Sequence, residues 1–460
     1  EKFNQRETGI LITPDLTESL AAKINKLSLD GLELLQQYSR FYPQEEMVAD
    51  LIGYVNRDRQ GQAGVEYSQQ TLLERPPSSY PIRRAGNGTF LPANLPEGLL
   101  RFDDLQLELT IDLRLQRAAR SALREQMKKF NAKRGAVTIV DVRDGSLLAL
   151  VCEPTYNPND YFRYSLDRFK NWAVSDLYEP GSTFKPINLA IALDAGIIQL
   201  GTHVYDSGVV TVDGWNIYNA SKIGYGNISL AEVLQNSSNV GMVHIMGRMD
   251  KGQYYDNLRK LGLSEKVGVD LPGDISGHLK SKAEFTSNSI EAATAAFGQG
   301  ISLTPLKLLQ LHAAIANGGK LVTPHIVKGL VDPDGQLHWQ PTLPSKSLFS
   351  PETSRHVLEM METVVQKGSG KAAQIPGYRI AGKTGTAQKA GPRGGYLSNS
   401  KITSFVALLP VEAPRYAVLT LIDEPKGANT FGGTVAAPMA KSVIEALIAI
   451  EGIPPSAKKK

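Results

Sequence analysis

The stretch Glu179-Pro180-Gly181-Ser182-Thr183-Phe184-Lys185-Pro186 places a hydroxyl nucleophile and an amine three residues apart. The run behind it, Ile187 to Gly196, has helical character and closes on a glycine, which predicts a helix that starts near Ser182. Ser182 and Lys185 then share a face of the first turn. Pro186 fits there because the first N–H groups of a helix have no internal carbonyl partner. A serine hydroxyl is a weak nucleophile until a neighbour takes its proton, and N–H groups at a helix start suit a developing oxyanion. The competing reading is a capped helix with a surface lysine. Ser398-Asn399-Ser400-Lys401 repeats the same S-x-x-K spacing in a polar stretch, so this motif alone decides nothing.

Two motifs downstream tip the balance. Ser237-Ser238-Asn239, read as S-x-N at the start of the apolar run Val240 to Met246, offers a hydroxyl to relay a proton and an amide to hold a peptide group. Lys383-Thr384-Gly385-Thr386 follows the alternation Tyr378 to Gly382, which predicts a strand. A cation with flanking hydroxyls on a strand edge suits a substrate carboxylate, and Gly385 permits close approach of backbone and ligand. Gly377 to Thr384 also satisfies the phosphate-loop pattern G-x-x-x-x-G-K-T. Its context is wrong: bulky Tyr378 and Ile380 occupy the would-be loop, and Gly385, Gly391-Pro392 and Gly394-Gly395 deny it the helix that must cradle a phosphate.

The strands frame these motifs. Ala136 to Val142 and Leu147 to Val151 flank the turn Arg143-Asp144-Gly145-Ser146 and predict a hairpin, both arms apolar enough for a sheet covered on two faces. Late strands are predicted at Tyr378 to Ala387, Thr403 to Leu409 and Tyr416 to Ile422. The middle of the chain is mostly helical, which gives an α+β fold with antiparallel pairing. Leu105 to Ile111 alternates as a strand, and Leu113 to Phe130 reads as an amphipathic helix. Before it, residues 1 to about 104 are polar, with turn-rich Glu74 to Pro81 and Ala85 to Gly88. They read as an appended, partly extended domain with a boundary near residue 104.

The chain has 460 residues, 42% of them hydrophobic, enough for two domains. A net charge of +4, with its visible basic run at Lys458-Lys459-Lys460, argues against a nucleic-acid surface. A lone cysteine, Cys152, excludes an internal disulfide and reads as core within an apolar strand. The seven histidines lack metal-ligand spacing, so neither metal nor cofactor is expected. No G-x-S-x-G elbow occurs. No stretch reaches the roughly 20 apolar residues that span a bilayer, and the best apolar run, Val443 to Ile450, is interrupted by Glu445.

S-x-x-K, S-x-N and K-T-G in this order resemble the penicillin-recognising serine enzymes. The likeness extends to Arg40-Phe41-Tyr42-Pro43, Leu51 to Val55 and Gly64-Val65-Glu66, similar to the pedestal of class B penicillin-binding proteins, and to Leu109-Thr110-Ile111-Asp112 with Leu115-Gln116 at their domain junction. Ala296 to Gly300, Thr304-Pro305 and Ala316 to Gly319 resemble their core helices. The resemblance implies the penicillin-recognising serine transpeptidase fold, with residues 1–104 as a partial non-catalytic pedestal and 105–460 as the transpeptidase domain. It implies a D,D-transpeptidase of the division or elongation type that cross-links peptidoglycan stem peptides and is acylated by β-lactams. Ser182 would attack the D-Ala-D-Ala carbonyl, Lys185 would act as base and Ser237 would relay the proton. Asn239 would hold the donor amide, and Lys383, Thr384, Gly385 and Thr386 the terminal carboxylate, with the N–H groups of Ser182 and Thr386 as oxyanion hole. A neutral Lys185 needs its pKa lowered well below the ordinary lysine value, by burial and by Lys383. The family also implies a membrane-embedded glycan polymerase and other division or elongation proteins as partners, at the outer face of a bacterial inner membrane. Because the chain opens at Glu1 without a leader, its anchor and part of its pedestal are expected to have been removed. Two alternatives stay open: a β-lactamase, for which Glu284-Phe285-Thr286-Ser287-Asn288 supplies an E-x-x-x-N arrangement, and a β-lactam-binding sensor or scaffold.

Overall fold

The computed structural model describes residues 10, 12, 13, 16, 18–35, 40–74, 104–391 and 395–456. The predicted turns between 75 and 88 and the terminal lysines 458–460 lie outside them. The chain divides into two compact units, Glu1–Phe41 and Tyr42–Lys460. The first carries the helix Glu18–Asn25, which has no buried residue.

In the second unit, α1 (Leu113–Phe130) starts where Asp112 accepts from the N–H of Arg114 at 2.7 Å and stops at left-handed Asn131. Leu115, Ala119 and Leu123 recur every four residues on its buried face. Next come the hairpin strands β1 (Arg134–Asp141) and β2 (Leu147–Glu153). Helices α2 (Lys185–Asp194), α3 (Asn239–Met246), α4 (Pro305–Ala316) and α5 (Pro351–Gln366) fill the middle. Strands β3 (Ala381–Ala390), β4 (Tyr396–Leu409) and β5 (Tyr416–Asp423) and helix α6 (Gly432–Glu451) close the domain.

The five strands form one antiparallel sheet in the order β3-β4-β5-β1-β2, so early and late strands join across the helical middle and β3 is an edge. Alternate side chains point to opposite faces. Val137, Ile139, Val151, Phe405 and Ala407 belong to the core with α1 and α6, whereas Ala136, Leu150, Val406, Leu408 and Leu419 join α4 on the other side. Both faces are covered, as the apolar hairpin predicts. Each buried Val, Leu or Ile there contributes about 1.5–3 kcal/mol.

Two boundaries differ from expectation. The late strand begins at Ala381 rather than Tyr378, because the Arg379 N–H donates to Ser456 Oγ at 3.0 Å and its guanidinium is held by Glu362 at 2.7 Å. The apolar run near Val443 is part of the 20-residue α6, long and apolar enough by composition to cross a membrane. Half of it is buried against the sheet and α1, which marks a core helix.

Residues 42–74 belong to the same unit as the sheet. Arg120, 1% exposed on α1, pairs with Asp50 of that segment and with Glu153 of β2 at 2.8 Å. Tyr54 stacks on Tyr161 at 4.4 Å and tilts against Phe169.

Candidate active site

The nucleophile segment enters α2 through a 3-10 turn, Gly181–Phe184, so the first turn is tighter than the predicted α-helix. Gly181 is left-handed, with its N–H on Gly298 O at 3.0 Å. A Cβ on Gly298 would sit 2.2 Å from Gly181 O, so only glycine fits. Thr183 Oγ1 donates to Pro180 O at 2.7 Å, and the Thr183 carbonyl accepts from His312 Nε2 of α4 at 2.8 Å. Ser182 is half-buried. At the far end of α2, left-handed Gly196 stands where the sequence predicts a glycine cap.

Edge strand β3 runs beside this turn. A Cβ on Gly385 would lie 2.8 Å from Thr183 Cγ2 and 2.3 Å from Ser404 Oγ, so Gly385 lets the turn approach the strand. A Cβ on Gly181 would stand 3.6 Å from Thr386 O, so the residue before Ser182 runs close to the β3 backbone. Thr384 Oγ1 is hydrogen-bonded to Ser369 Oγ at 2.7 Å, and Thr386 Oγ1 accepts from the N–H of Gly432 at the start of α6 at 3.0 Å. The lysine of the formal phosphate-loop pattern thus lies within a strand, not at a helix start.

The second motif precedes α3. Ser238 caps that helix by accepting from Gly241 N–H at 2.7 Å and donates to the buried carboxylate of Asp206. Asn219 donates to both Asp206 oxygens, at 2.9 and 2.8 Å, while its Oδ1 accepts from the N–H groups of Asn239 and Val240. This network holds Ser237 in the left-handed region at φ 53°, strain of the kind that a surrounding structure must impose. Asn239 Nδ2 donates to Tyr218 O at 2.9 Å.

Two lysines meet at Ser237, both with 0% exposure. Lys185 Nζ donates to Asn239 Oδ1 at 2.7 Å and to the Ser237 carbonyl. Lys383 Nζ donates to Ser237 Oγ at 2.9 Å and to Thr384 O at 3.1 Å. Burial, then the charge of Lys383, holds Lys185 well below the usual lysine range, against the opposing pull of Asp206. Burial brings Lys383 down to about 7. A lysine held below its usual range, three residues along the chain from a half-buried serine, is better suited to accept a proton than a free one.

All three motifs therefore converge, and the other candidates separate from them. Glu284 is spent on a capping box with Ser281, its Oε2 2.6 Å from Ser281 Oγ. Cys152 is buried, and burial pushes its thiol pKa up. Lys401 of the second S-x-x-K lies on β4 over the Phe431 ring at 4.7 Å. The sequence reading missed Asp206, Asn219 and His312. Only the polar run Tyr205-Asp206-Ser207-Gly208 hints at the first, and His312 stands in an apolar helix with no metal-ligand spacing to mark it. It also missed Glu179, which accepts from Gly300 N–H at 3.1 Å and from Tyr396 OH at 2.8 Å. Burial raises the Glu179 carboxyl pKa, and these two bonds oppose the rise.

Comparison with known proteins agrees with this geometry. Residues 135–445 match the penicillin binding protein transpeptidase domain family. A peptidoglycan D,D-transpeptidase FtsI homolog of Mesostigma viride is 42% identical, over 99% of this chain and 80% of that protein. Peptidoglycan D,D-transpeptidase FtsI of Escherichia coli K12 is 32% identical over 99% of this chain and 74% of its own length. Penicillin binding protein 3 of Mycobacterium tuberculosis, in its complex with aztreonam, superposes with a TM-score of 0.78 at 27% identity, covering 92% of each chain. With three motifs joined around Ser237 on a matching fold, the chain belongs to the class B penicillin-binding proteins, the transpeptidase family of which the FtsI-type enzymes are members.

Proposed function

We propose that this protein cross-links peptidoglycan by a serine D,D-transpeptidase reaction at Ser182. The observation that carries the reading is the meeting of Lys185, Ser237, Asn239 and Lys383 beside the Ser182 turn and the β3 edge. Ser182 Oγ attacks the penultimate D-alanine carbonyl of a donor stem, while neutral Lys185 takes its proton. The tetrahedral oxyanion is held by the N–H groups of Ser182 and Thr386. Collapse expels D-alanine, whose amine receives the proton through Ser237, and leaves an ester on Ser182. An amine from a neighbouring stem then attacks the ester and frees the serine. Lys383, Thr384 and Thr386 hold the terminal carboxylate across Gly385, and Asn239 holds the donor amide. β-Lactams enter the same path, but their opened ring keeps the leaving amine tethered.

In the same reading, residues 1–104 act as a non-catalytic pedestal and 105–460 as the transpeptidase domain, which the family match over 135–445 supports. The enzyme works at the outer face of a bacterial inner membrane beside a membrane-embedded glycan polymerase and other division or elongation proteins. No cofactor enters this chemistry. The test is release of D-alanine from stem pentapeptides with formation of cross-linked dimers, expected for the parent and lost in Ser182→Ala. Equal release by both would reject the assignment.

A further inference from the structure

We propose that His312 is a positioning residue for the nucleophile, fixing the Thr183 carbonyl from α4 and so the peptide units that carry Ser182; this rests on the assignment of Ser182 above. His312 is fully buried, and its Nε2 lies 2.8 Å from Thr183 O. The carbonyl only accepts, so the proton sits on Nε2 and Nδ1 is bare. Nδ1 is buried with no hydrogen-bond partner among the described residues. Such an unpaired atom carries a desolvation cost that an apolar side chain would avoid, so the donor on the other nitrogen has a task that offsets it.

Thr183 leaves little slack. Its side chain is tied to Pro180 O at 2.7 Å, its carbonyl to His312, and its methyl fills the space that a Cβ on Gly385 would need. A shift of the Thr183 peptide therefore moves Ser182 against the β3 edge, and misplacement of a reacting group by about 1 Å costs on the order of 100-fold in rate. The donor is also the right kind. Burial, aided by the charge of Lys383 and opposed by the Thr183 carbonyl, pulls the imidazole down to about 4, so it adds no third cation beside the two lysines.

Glutamine places an amide N–H where Nε2 stands, whereas asparagine stops near the Nδ1 position and leucine has no donor. Stopped-flow labelling of the full chain with a fluorescent penicillin separates the binding constant from the acylation rate constant. His312→Gln is expected to acylate within about three-fold of the parent, while His312→Asn and His312→Leu fall by about 10- to 100-fold with binding unchanged and melting temperatures within a few degrees. Whichever of the last two folds supplies the arm without the donor. Equal losses in Gln and in the two variants without a donor at the Nε2 position, or a loss confined to binding, would overturn the positioning role. A parent that takes no label at Ser182 would instead overturn the assignment beneath it.

Discussion

Lys383 Nζ donates to Ser237 Oγ at 2.9 Å, and Lys185 Nζ lies 3.3 Å from the same oxygen. One hydroxyl bridges two buried amines, and neither makes an ion pair among the described residues. In the proposed mechanism acylation needs Lys185 neutral, so the rate is expected to rise with pH through a value well below the usual lysine range. The proposed capture of the carboxylate needs Lys383 charged, so a basic limb is expected near about 7. The pH dependence of penicillin acylation measures both. Lys383→Arg, which stays protonated, should remove the basic limb, and an unchanged limb in that variant would exclude Lys383 as its source.

The same burial weakens the fold in a pH-dependent way. Because the folded pKa of Lys383 lies below its unfolded value, the unfolded chain binds more protons between about 7 and the ordinary lysine value. Stability from this group rises with pH across that window and is lost as pH falls through about 7. Lys383→Met should therefore be more stable than the parent at low pH by roughly 2–4 kcal/mol, with the gap closing toward alkaline pH, while acylation is abolished. Thermal melts across this range check the sign. A variant less stable than the parent at every pH would contradict it.

Lys185→Arg keeps the charge but cannot supply a neutral amine. Acylation should fall by about 100- to 10,000-fold with the fold retained, as followed by labelling rate and circular dichroism.

The motifs were legible because each is a short run of residues whose chemistry is stated by their types: Ser182 and Lys185 by helical spacing, Ser237 and Asn239 beside an apolar helix, Lys383 by strand alternation. The hairpin at Gly145 and helix Leu113–Phe130 were legible because turn residues and a four-residue apolar repeat are local signals. Asp206, Asn219 and His312 were not. They act through partners 13 to 129 positions away, and nothing local marks a polar side chain that will be buried. From its glycines and proline the stretch Gln388 to Ser400 reads either as a mobile flap beside the site or as an ordinary hairpin loop. Strands extend to Ala390 and resume at Tyr396, where the two residues pair and Tyr396 OH donates to Glu179 at 2.8 Å, while residues 392–394 lie outside the described ones.

Asn219→Ala removes the acceptor for two N–H groups at the start of α3 and two donors to Asp206, leaving a buried carboxylate underpaired. A loss of about 2–3 kcal/mol is expected in denaturant unfolding, with slower acylation because Ser237 and Asn239 are no longer held. Stability equal to the parent would remove Asn219 from this role.

Tyr396→Phe frees the β3–β4 hairpin from Glu179 near the nucleophile turn. Hydrogen exchange of Tyr396 and its strand neighbours should quicken. Peptide cross-linking should fall more than penicillin acylation, because a long substrate needs the wall of the cleft and a small drug mainly needs Ser182 and its close neighbours. Equal effects on both reactions would argue that the bond serves stability alone.

Arg120→Ala strands the buried carboxylate of Asp50, already raised by burial, and leaves Glu153 with Arg124 as its remaining ion-pair partner. A loss of about 3–5 kcal/mol is expected by denaturant unfolding. Arg120→Met should recover part of the packing but not the ion pairs.

The most direct measurement is intact-mass spectrometry of the protein after exposure to penicillin, followed by peptide mapping. A single, persistent adduct on the peptide containing Ser182, absent from Ser182→Ala, is the predicted result. Rapid consumption of the drug without an accumulating adduct, or an adduct that survives Ser182→Ala, would contradict the account.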